Sequence, residues 1–374
     1  MSVLFSPVAL GSLTLANRII VSPMCQYSAR EGSATSWHAI HLGSLALSGA
    51  GLLFTEATAV SARGRISPGD LGLYDDANQE ALDRVVRDIR ENSGIALGIQ
   101  LAHAGRKASS REPWAGGALI PQGMGGWLPQ APSAIAHAEG EPPPEAMTLE
   151  ALEDVRRSFV ASAKRAVAIG FQAIELHAAH GYLLHEFLSP VANRRSDDYG
   201  GCLENRMRFP LEVFKAVRAA VPESIPVGVR VSSTDWLDHL DCESWTLDDT
   251  IAFSLALKSA GASWIDASSG GISPRQKISV GPGYQVPFAR AIRKATQMTV
   301  FAVGMITEPW QAEGILAEGD ADCVALARAM LFDPHWPWRA AQALDGTIPA
   351  PKQYWRSLPA GTGRIFGDIA ISQR

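Results

Sequence analysis

The segment Glu175-Leu176-His177-Ala178-Ala179-His180-Gly181-Tyr182 sets two imidazoles three residues apart, with a phenol two residues further on. At a strand-to-helix turn that spacing lets both imidazoles aim at one small acceptor atom. Two donors fixed on a carbonyl oxygen would stabilise the enolate-like charge that develops when a nucleophile or hydride adds to a conjugated carbon. Tyr182, an acid of ordinary pKa near ~10, could then deliver a proton to the adjacent carbon. Two plainer readings stay open for the histidines alone, zinc ligation and simple packing. A zinc-protease helix requires His-Glu-x-x-His; His185-Glu186 begins that string, but Ser189 closes it, which weakens the metal reading.

Other polar residues that could join this chemistry are scattered along the chain: Cys25 and Tyr27, Gln100 and His103, Arg230, and Arg328. One kind of scaffold would bring them together. Apolar, β-branched runs of strand length recur between longer stretches of helical periodicity, the pattern of βαβ units around a parallel sheet. Eight such runs are expected as strands: Ile19 to Ser22, Leu52 to Glu56, Ala96 to Leu101, Ala173 to His177, Val227 to Val231, Trp264 to Ser268, Thr299 to Gly304 and Cys323 to Leu326. The clearest helices are expected over Leu149 to Ile169, Glu204 to Ala220, Leu247 to Ala260 and Phe288 to Ala295, with Gly170 and Gly261 as stop signals. Eight strands alternating with helices predict a closed (β/α)8 barrel, an α/β TIM-barrel class in which residues just past the strand ends converge on one mouth. No Gly-x-Gly-x-x-Gly follows a strand and no Walker-type loop is present, which argues against an open dinucleotide-binding sheet. Residues 106 to 146, rich in Gly and Pro and including Pro142-Pro143-Pro144, read as a long excursion after the third strand, a cap over the mouth or a plain surface loop. A single domain over residues 1 to 374 is expected.

Composition bounds the partners. The chain has 374 residues, 47% hydrophobic and 19% charged, with a formal net charge of −5 and no basic cluster, so neither nucleic acid nor a membrane is expected as partner. The N-terminus lacks a basic stretch followed by an apolar run, and the protein is read as cytoplasmic. Four widely spaced cysteines, Cys25, Cys202, Cys242 and Cys323, show no metal or cluster spacing, and no metal is expected.

Several longer motifs resemble those of the Old Yellow Enzyme family of FMN-dependent ene reductases, in its short bacterial branch with xenobiotic reductase A and thermophilic-type NADPH dehydrogenases. They are Ser22-Pro23-Met24-Cys25-Gln26-Tyr27, Glu56-Ala57, Gly98 to Lys107, His177 to Tyr182, Phe187-Leu188-Ser189-Pro190, Asp198-Tyr199-Gly200-Gly201, Glu204-Asn205-Arg206, Val229-Arg230-Val231-Ser232 and Ala302-Val303-Gly304. The resemblance spans residues 3 to 356.

That resemblance implies FMN as bound cofactor and NADPH as hydride donor in a ping-pong reduction of the activated C=C bond of enones, maleimides and similar acceptors. It places Ser22, Pro23, Met24, Cys25, Ala57, Gln100 and His177 around the flavin ring, with Cys25 tuning its potential. Arg230 falls at the N1 and C2-carbonyl edge, where a cation favours the anionic reduced flavin. The phosphate is expected at Ser268-Ser269-Gly270, Gly304 and Ala327-Arg328, from backbone amides and one guanidinium. Ala327 stands where the family often has glycine, which questions that amide contact. His177, His180 and Tyr182 are the expected catalytic residues, and Tyr27 a further substrate contact. Residues 350 to 356 resemble a tail that reaches a neighbouring subunit's site, with Trp355 and Arg356 as substrate contacts; 350 to 374 is therefore read as an intersubunit tail, implying a homodimer or a dimer-built homotetramer, although residues 361 to 374 extend beyond the resemblance.

Three rival readings are weaker. A dienoyl-CoA reductase relative would need more length and cluster cysteines. A Schiff-base lyase would need a lysine in one of the eight strands. A flavin-binding protein without catalysis would leave the paired histidines and Tyr182 without a task.

Overall fold

Strands covered on both faces read as continuous apolar runs, because helices pack outside them and side chains fill the space inside. The computed structural model describes residues 2–358 and 364–369. All eight expected strands are present: Ile19–Val21, Leu52–Ala59, Ala96–Ala102, Ala173–Ala178, Val227–Ser232, Trp264–Ser268, Thr299–Ala302 and Cys323–Leu326. They form a closed barrel of parallel strands, sealed where Val324 pairs with Ile19 and Leu326 with Val21. Two ends differ from the sequence pattern by more than one residue, for local reasons. The second strand continues past Glu56 to Ala59 through a register shift between Phe54 and Ala57. The seventh stops at Ala302, before Gly304 turns the chain at φ +119°.

The four expected helices run over Leu149–Ala168, Leu203–Ala220, Leu247–Ser259 and Val286–Thr296. Gly170 and Gly261 follow two of them at φ +99° and +94°, the left-handed stop that a side chain would strain. Ser36–Ala46 and Asp76–Asn92 are further helices of the outer ring. No helix among the described residues is long and apolar enough to cross a membrane.

The barrel interior is built in layers, because alternate residues of each strand point inward. An antiparallel hairpin, Val8–Leu10 with Leu13–Leu15, plugs one end, and its Leu10 and Leu15 pack with Ile20, Leu52, Phe54, Trp264 and Phe301. Trp264 and Phe301 stack 5.7 Å apart at 16°. Glycines make room for these rings: a Cβ at Gly98 would lie 2.5 Å from Phe54, and one at Gly228 would lie 2.1 Å from Trp264. Two residues along the same strands, Gly98 gives way to Gln100, Gly228 to Arg230 and Trp264 to Asp266, so a polar layer stands on the apolar plug.

Residues 106 to 146 form a largely irregular excursion with short 3-10 turns at Pro113–Ala115 and Gln122–Met124 and a two-residue strand pair, Gln130–Ala131 with Glu145–Ala146. Its Trp114 ring meets Tyr27 edge-on at 5.4 Å, and the carbonyls of Ile135 and Ala136 accept from Arg106.

Candidate active site

The polar layer carries two buried carboxylates and one guanidinium. Glu175 accepts from Gln100 Nε2 at 2.8 Å and from Trp264 Nε1 at 3.0 Å. Arg230 donates through Nε to Asp266 at 2.8 Å and through Nη2 to Ser22 Oγ at 3.1 Å. Burial pushes Glu175 up to about 7, with Asp266 adding to the rise and Arg230 opposing it. Burial raises Asp266 as well, against the pull of Arg230. For Arg230 burial works against the charge, but Asp266 and Glu175 outweigh it and hold the guanidinium firmly protonated.

One layer higher the mouth opens. His177, at the end of its strand, meets His180 at 5.0 Å and 88° and Tyr182 at 5.0 Å and 75°, ring centroid to ring centroid. The turn that makes this possible is unusual for a side-chain residue: His180 has φ +59° and Gly181 φ +73°. His180 N donates to Ser232 Oγ at 2.9 Å, and Ser232 Oγ donates to the carbonyl of Gly270 at 2.7 Å. His180 Nε2 lies 2.7 Å from Ser268 Oγ. His177 Nδ1 is buried with no hydrogen-bond partner. Burial holds both imidazoles well below the usual histidine range, reinforced for His177 by His180 and Arg230 and for His180 by Arg230 and Lys107. Each ring is therefore neutral at physiological pH, with one N–H to donate. The Tyr182 phenol is held well above its ordinary value by burial and by Cys25, Tyr27 and Asp70.

Opposite these, Pro23, Met24 and Cys25 leave the first strand and are partly exposed at the mouth, and Tyr27 turns the chain at φ +51°. Gly69 is what accommodates that turn, since a Cβ there would lie 2.5 Å from the Tyr27 carbonyl. Glu56 holds the loop between Cys25 and Tyr27, accepting from the backbone N–H of Gln26 at 3.0 Å and pairing with His38 Nε2 at 3.2 Å. Enclosure raises the Cys25 thiol well above the ordinary range, as do Asp70 and Glu56. Ala57 pairs with Gln100 across the second and third strands.

On the other side of the mouth Ser268, Ser269 and Gly270 follow the sixth strand and Gly304 the seventh, with Gly270 at φ +72°. Gln285 ties them together, accepting from Ser269 Oγ at 2.5 Å and donating to Val303 O at 3.1 Å. Ala327 has φ −107°, so this position does not demand glycine, and Arg328 opens the short helix Arg328–Phe332 with an exposed side chain.

Not every expected residue converges. His103 is buried against Gly64, where an added Cβ would lie 2.7 Å from its ring, and its Nδ1 accepts from Gly105 N. His185 is buried, with Nδ1 accepting from Gly181 N and Nε2 3.1 Å from Asp235, so it braces the turn below His180. Among the described residues no three His, Cys, Asp or Glu side chains group as metal ligands. Trp355 and Arg356 lie in the 3-10 turn Lys352–Ser357, and Trp355 Nε1 donates to Ala350 O. Pro349, Ala350 and Pro351 line a hollow with Gly51, Ala96 and Gln172, at the end of the barrel where strands begin. The tail therefore starts from the end opposite this chain's own mouth, and the part of it beyond Leu358 falls outside the described residues except for 364–369. Sequence reasoning misses Glu56, His38 and Asp266; a carboxylate inside an otherwise apolar strand run, as at Glu56, Glu175 and Asp266, is the signal that marks the two acids, while His38, in the helix Ser36–Ala46, carries no such signal.

The family model described as the NADH:flavin oxidoreductase / NADH oxidase family matches residues 3–346. An NADPH dehydrogenase of Geobacillus thermodenitrificans is 45% identical over 357 residues, covering 95% of this chain and 98% of the relative. One of Bacillus subtilis is 42% identical over 355 residues, covering 94% and 98%. Among solved structures, morphinone reductase superposes with a TM-score of 0.76 at 27% identity, covering 94% of this chain and 91% of that one.

Proposed function

The chain belongs to the NADH:flavin oxidoreductase / NADH oxidase family, and from that premise we propose that it is an ene reductase of the Old Yellow Enzyme type. It uses NADPH, through FMN, to reduce the activated C=C bond of α,β-unsaturated carbonyl compounds. The observation that carries the reading is the pair of neutral imidazoles at one mouth, one with its buried Nδ1 unpartnered, beside the Tyr182 phenol.

The residues present fit FMN. The orphaned His177 nitrogen, the Arg230 guanidinium one layer down and the left-handed glycine turns at Gly270 and Gly304 suit a planar ring with a phosphate at one end. Ser22, Pro23, Met24, Cys25, Ala57, Gln100, His177 and Arg230 would hold the ring, and Ser268, Gly270, Gly304, Ala327 and Arg328 the phosphate. When bound, FMN supplies the hydride chemistry, accepting from NADPH and giving to the β-carbon of the substrate.

The chain's own residues do the rest. His177 and His180 donate to the substrate carbonyl oxygen, where negative charge gathers as the β-carbon is reduced. Neutral donors suit this task, because they stabilise the developing charge without surrendering a proton to it. His180 reaches the oxygen by exchanging its Ser268 contact for it. Tyr182 delivers a proton to the α-carbon, and Tyr27, under the cap at Trp114, bounds the pocket. One mouth serves both NADPH and enone, giving a ping-pong order. Residues 106 to 146 serve as its cap within a single domain. Trp355 and Arg356 complete the mouth of a neighbouring subunit in a homodimer or dimer-built homotetramer. The four free cysteines suit the reducing cytoplasm.

The test is anaerobic. FMN-loaded protein is reduced with NADPH, freed of NADP+, and mixed with 2-cyclohexenone while the flavin band near ~450 nm is followed. Recovery of the band at a rate that rises with enone concentration, together with equimolar cyclohexanone, is expected. A bleached protein that enone leaves bleached while oxygen restores it would refute enone reduction.

A further inference from the structure

A buried phenol is a poor acid, since the phenolate it leaves behind must be accommodated without water, and Tyr182 also faces Cys25, Tyr27 and Asp70. One cation among the described residues stands over its ring: Lys107 Nζ is 5.0 Å from the Tyr182 centroid. The same ammonium donates to the carbonyl of His180 at 2.8 Å and to that of Gly271 at 3.2 Å. These two loops touch, for a Cβ at Gly271 would lie 2.4 Å from His180 Cα, and both turn through left-handed backbone, His180 at φ +59° and Gly271 at φ +95°. Lys107 thus stitches the turn that presents His180 and Tyr182 to the turn that follows Ser268.

The root of the lysine is itself fixed. It ends the 3-10 turn Gly105–Lys107 directly after the third barrel strand. Arg106 N donates to Glu186 Oε1 at 2.7 Å, and any side chain at Gly105 would collide with that carboxyl at 2.2 Å. The stem therefore approaches Tyr182 from a rigid base.

We propose that Lys107 is a positioning residue for proton delivery: it holds the His180–Tyr182 turn, and its ammonium stabilises the phenolate formed as Tyr182 gives up its proton. This rests on Tyr182 being the proton donor, as inferred above. In the step, the Tyr182 O–H bond breaks and its electron pair stays on the phenolate oxygen. The enolate pair of the substrate forms the new C–H bond at the α-carbon as the C=O bond is restored. Lys107 keeps its proton throughout, and water reprotonates Tyr182 between turnovers.

The groups facing the ammonium are Glu186, Arg106, His137, His177 and His180. Burial lowers Lys107 to about 8, with Glu186 pulling it up and Arg106 down. The ammonium is present below that pH and lost above it, so wild-type enone reduction declines through about pH 8. Arginine stays protonated at every accessible pH, so K107R removes the decline.

FMN-loaded wild type, K107M, K107R, Y182F and K107M/Y182F are compared by stopped flow in both half-reactions across pH. K107M and Y182F are each expected to slow enone-driven reoxidation by roughly 10-fold or more, with the double variant no slower than the slower single, because both act on one step. Reduction by NADPH changes little, and K107R keeps the enone rate past pH 8. A K107M rate equal to wild type, losses that multiply in the double variant, or an unaltered alkaline decline in K107R would overturn the role of Lys107 while leaving Tyr182 as donor. An unchanged Y182F would sink the donor assignment and this inference with it. Should K107M not fold, the K107R pH profile still decides.

Discussion

Arg230 Nη2 lies 2.6 Å from Asp266 Oδ2, and both side chains are buried on neighbouring strands where the two residues pair directly. Glu175 Oε1 is 3.9 Å from Arg230 Nε, so two carboxylates share one guanidinium directly beneath the mouth. The charge of that layer turns on Glu175, which burial pushes up to about 7.

Protonation of Glu175 should therefore be linked to reduction of the cofactor. Below about pH 7 the carboxyl is protonated and the layer close to neutral; above it the layer is negative and resists added electrons. Reduction then draws a proton onto Glu175, and the midpoint potential of wild type falls with pH by about 30 mV per unit more steeply above neutrality than that of E175Q. E175Q should also have the higher potential there. Spectroelectrochemical titration of both proteins checks this, and parallel slopes would remove Glu175 from the coupling.

On the proposed mechanism, His177→Ala would remove one of two donors to the developing oxyanion. The enone half-reaction is expected to slow on the order of 100-fold, about 3 kcal/mol, with flavin reduction less affected. Because burial holds both imidazoles well below the usual histidine range, no acid limb near the ordinary histidine pKa should appear in the wild-type enone half-reaction. Stopped-flow traces across pH test both statements; an acid limb lost in H177A would mean that the ring titrates.

Gly228→Ala places a methyl group 2.1 Å from the Trp264 ring, in the layer that supports Glu175. Overpacking of this kind costs about 1–3 kcal/mol or more. Thermal or urea unfolding should show the loss, and it should be accompanied by a disturbed Glu175 environment, since Trp264 Nε1 donates to that carboxylate. Unfolding indistinguishable from wild type would show that the ring moves freely.

Shared mouths can be tested by mixing. If the tail acts in trans as proposed, H177A would lack a working mouth and a W355A/R356A chain a working tail, so each alone should be poorly active. Refolded or exchanged together as dimers, they should recover roughly a quarter of wild-type activity, because half the dimers are hybrids with one complete site. Sedimentation of wild type as a fully active monomer, or mixtures no better than their components, would count against a tail acting in trans.

The barrel was legible in the chain because both-face burial leaves an unmistakable mark: eight apolar runs, from Ile19–Val21 to Cys323–Leu326, begin where the pattern says they should. The His177-x-x-His180-x-Tyr182 spacing likewise placed the three rings side by side, since residues so close in sequence share one turn. The hairpin plug of Leu10 and Leu15 was not legible, as three-residue strands carry too little periodicity to stand out. Nor could spacing reveal that Asp266 would neutralise Arg230, that Glu56 would hold the loop of Cys25 and Tyr27, or that Lys107 would lie over Tyr182. The chain itself determined which side chains are carried to the mouth, because alternation along a strand is a local property. Only the closed tertiary structure decided which of them touch and what charge each bears, because contact across the barrel depends on register and stagger, and burial depends on everything packed around it.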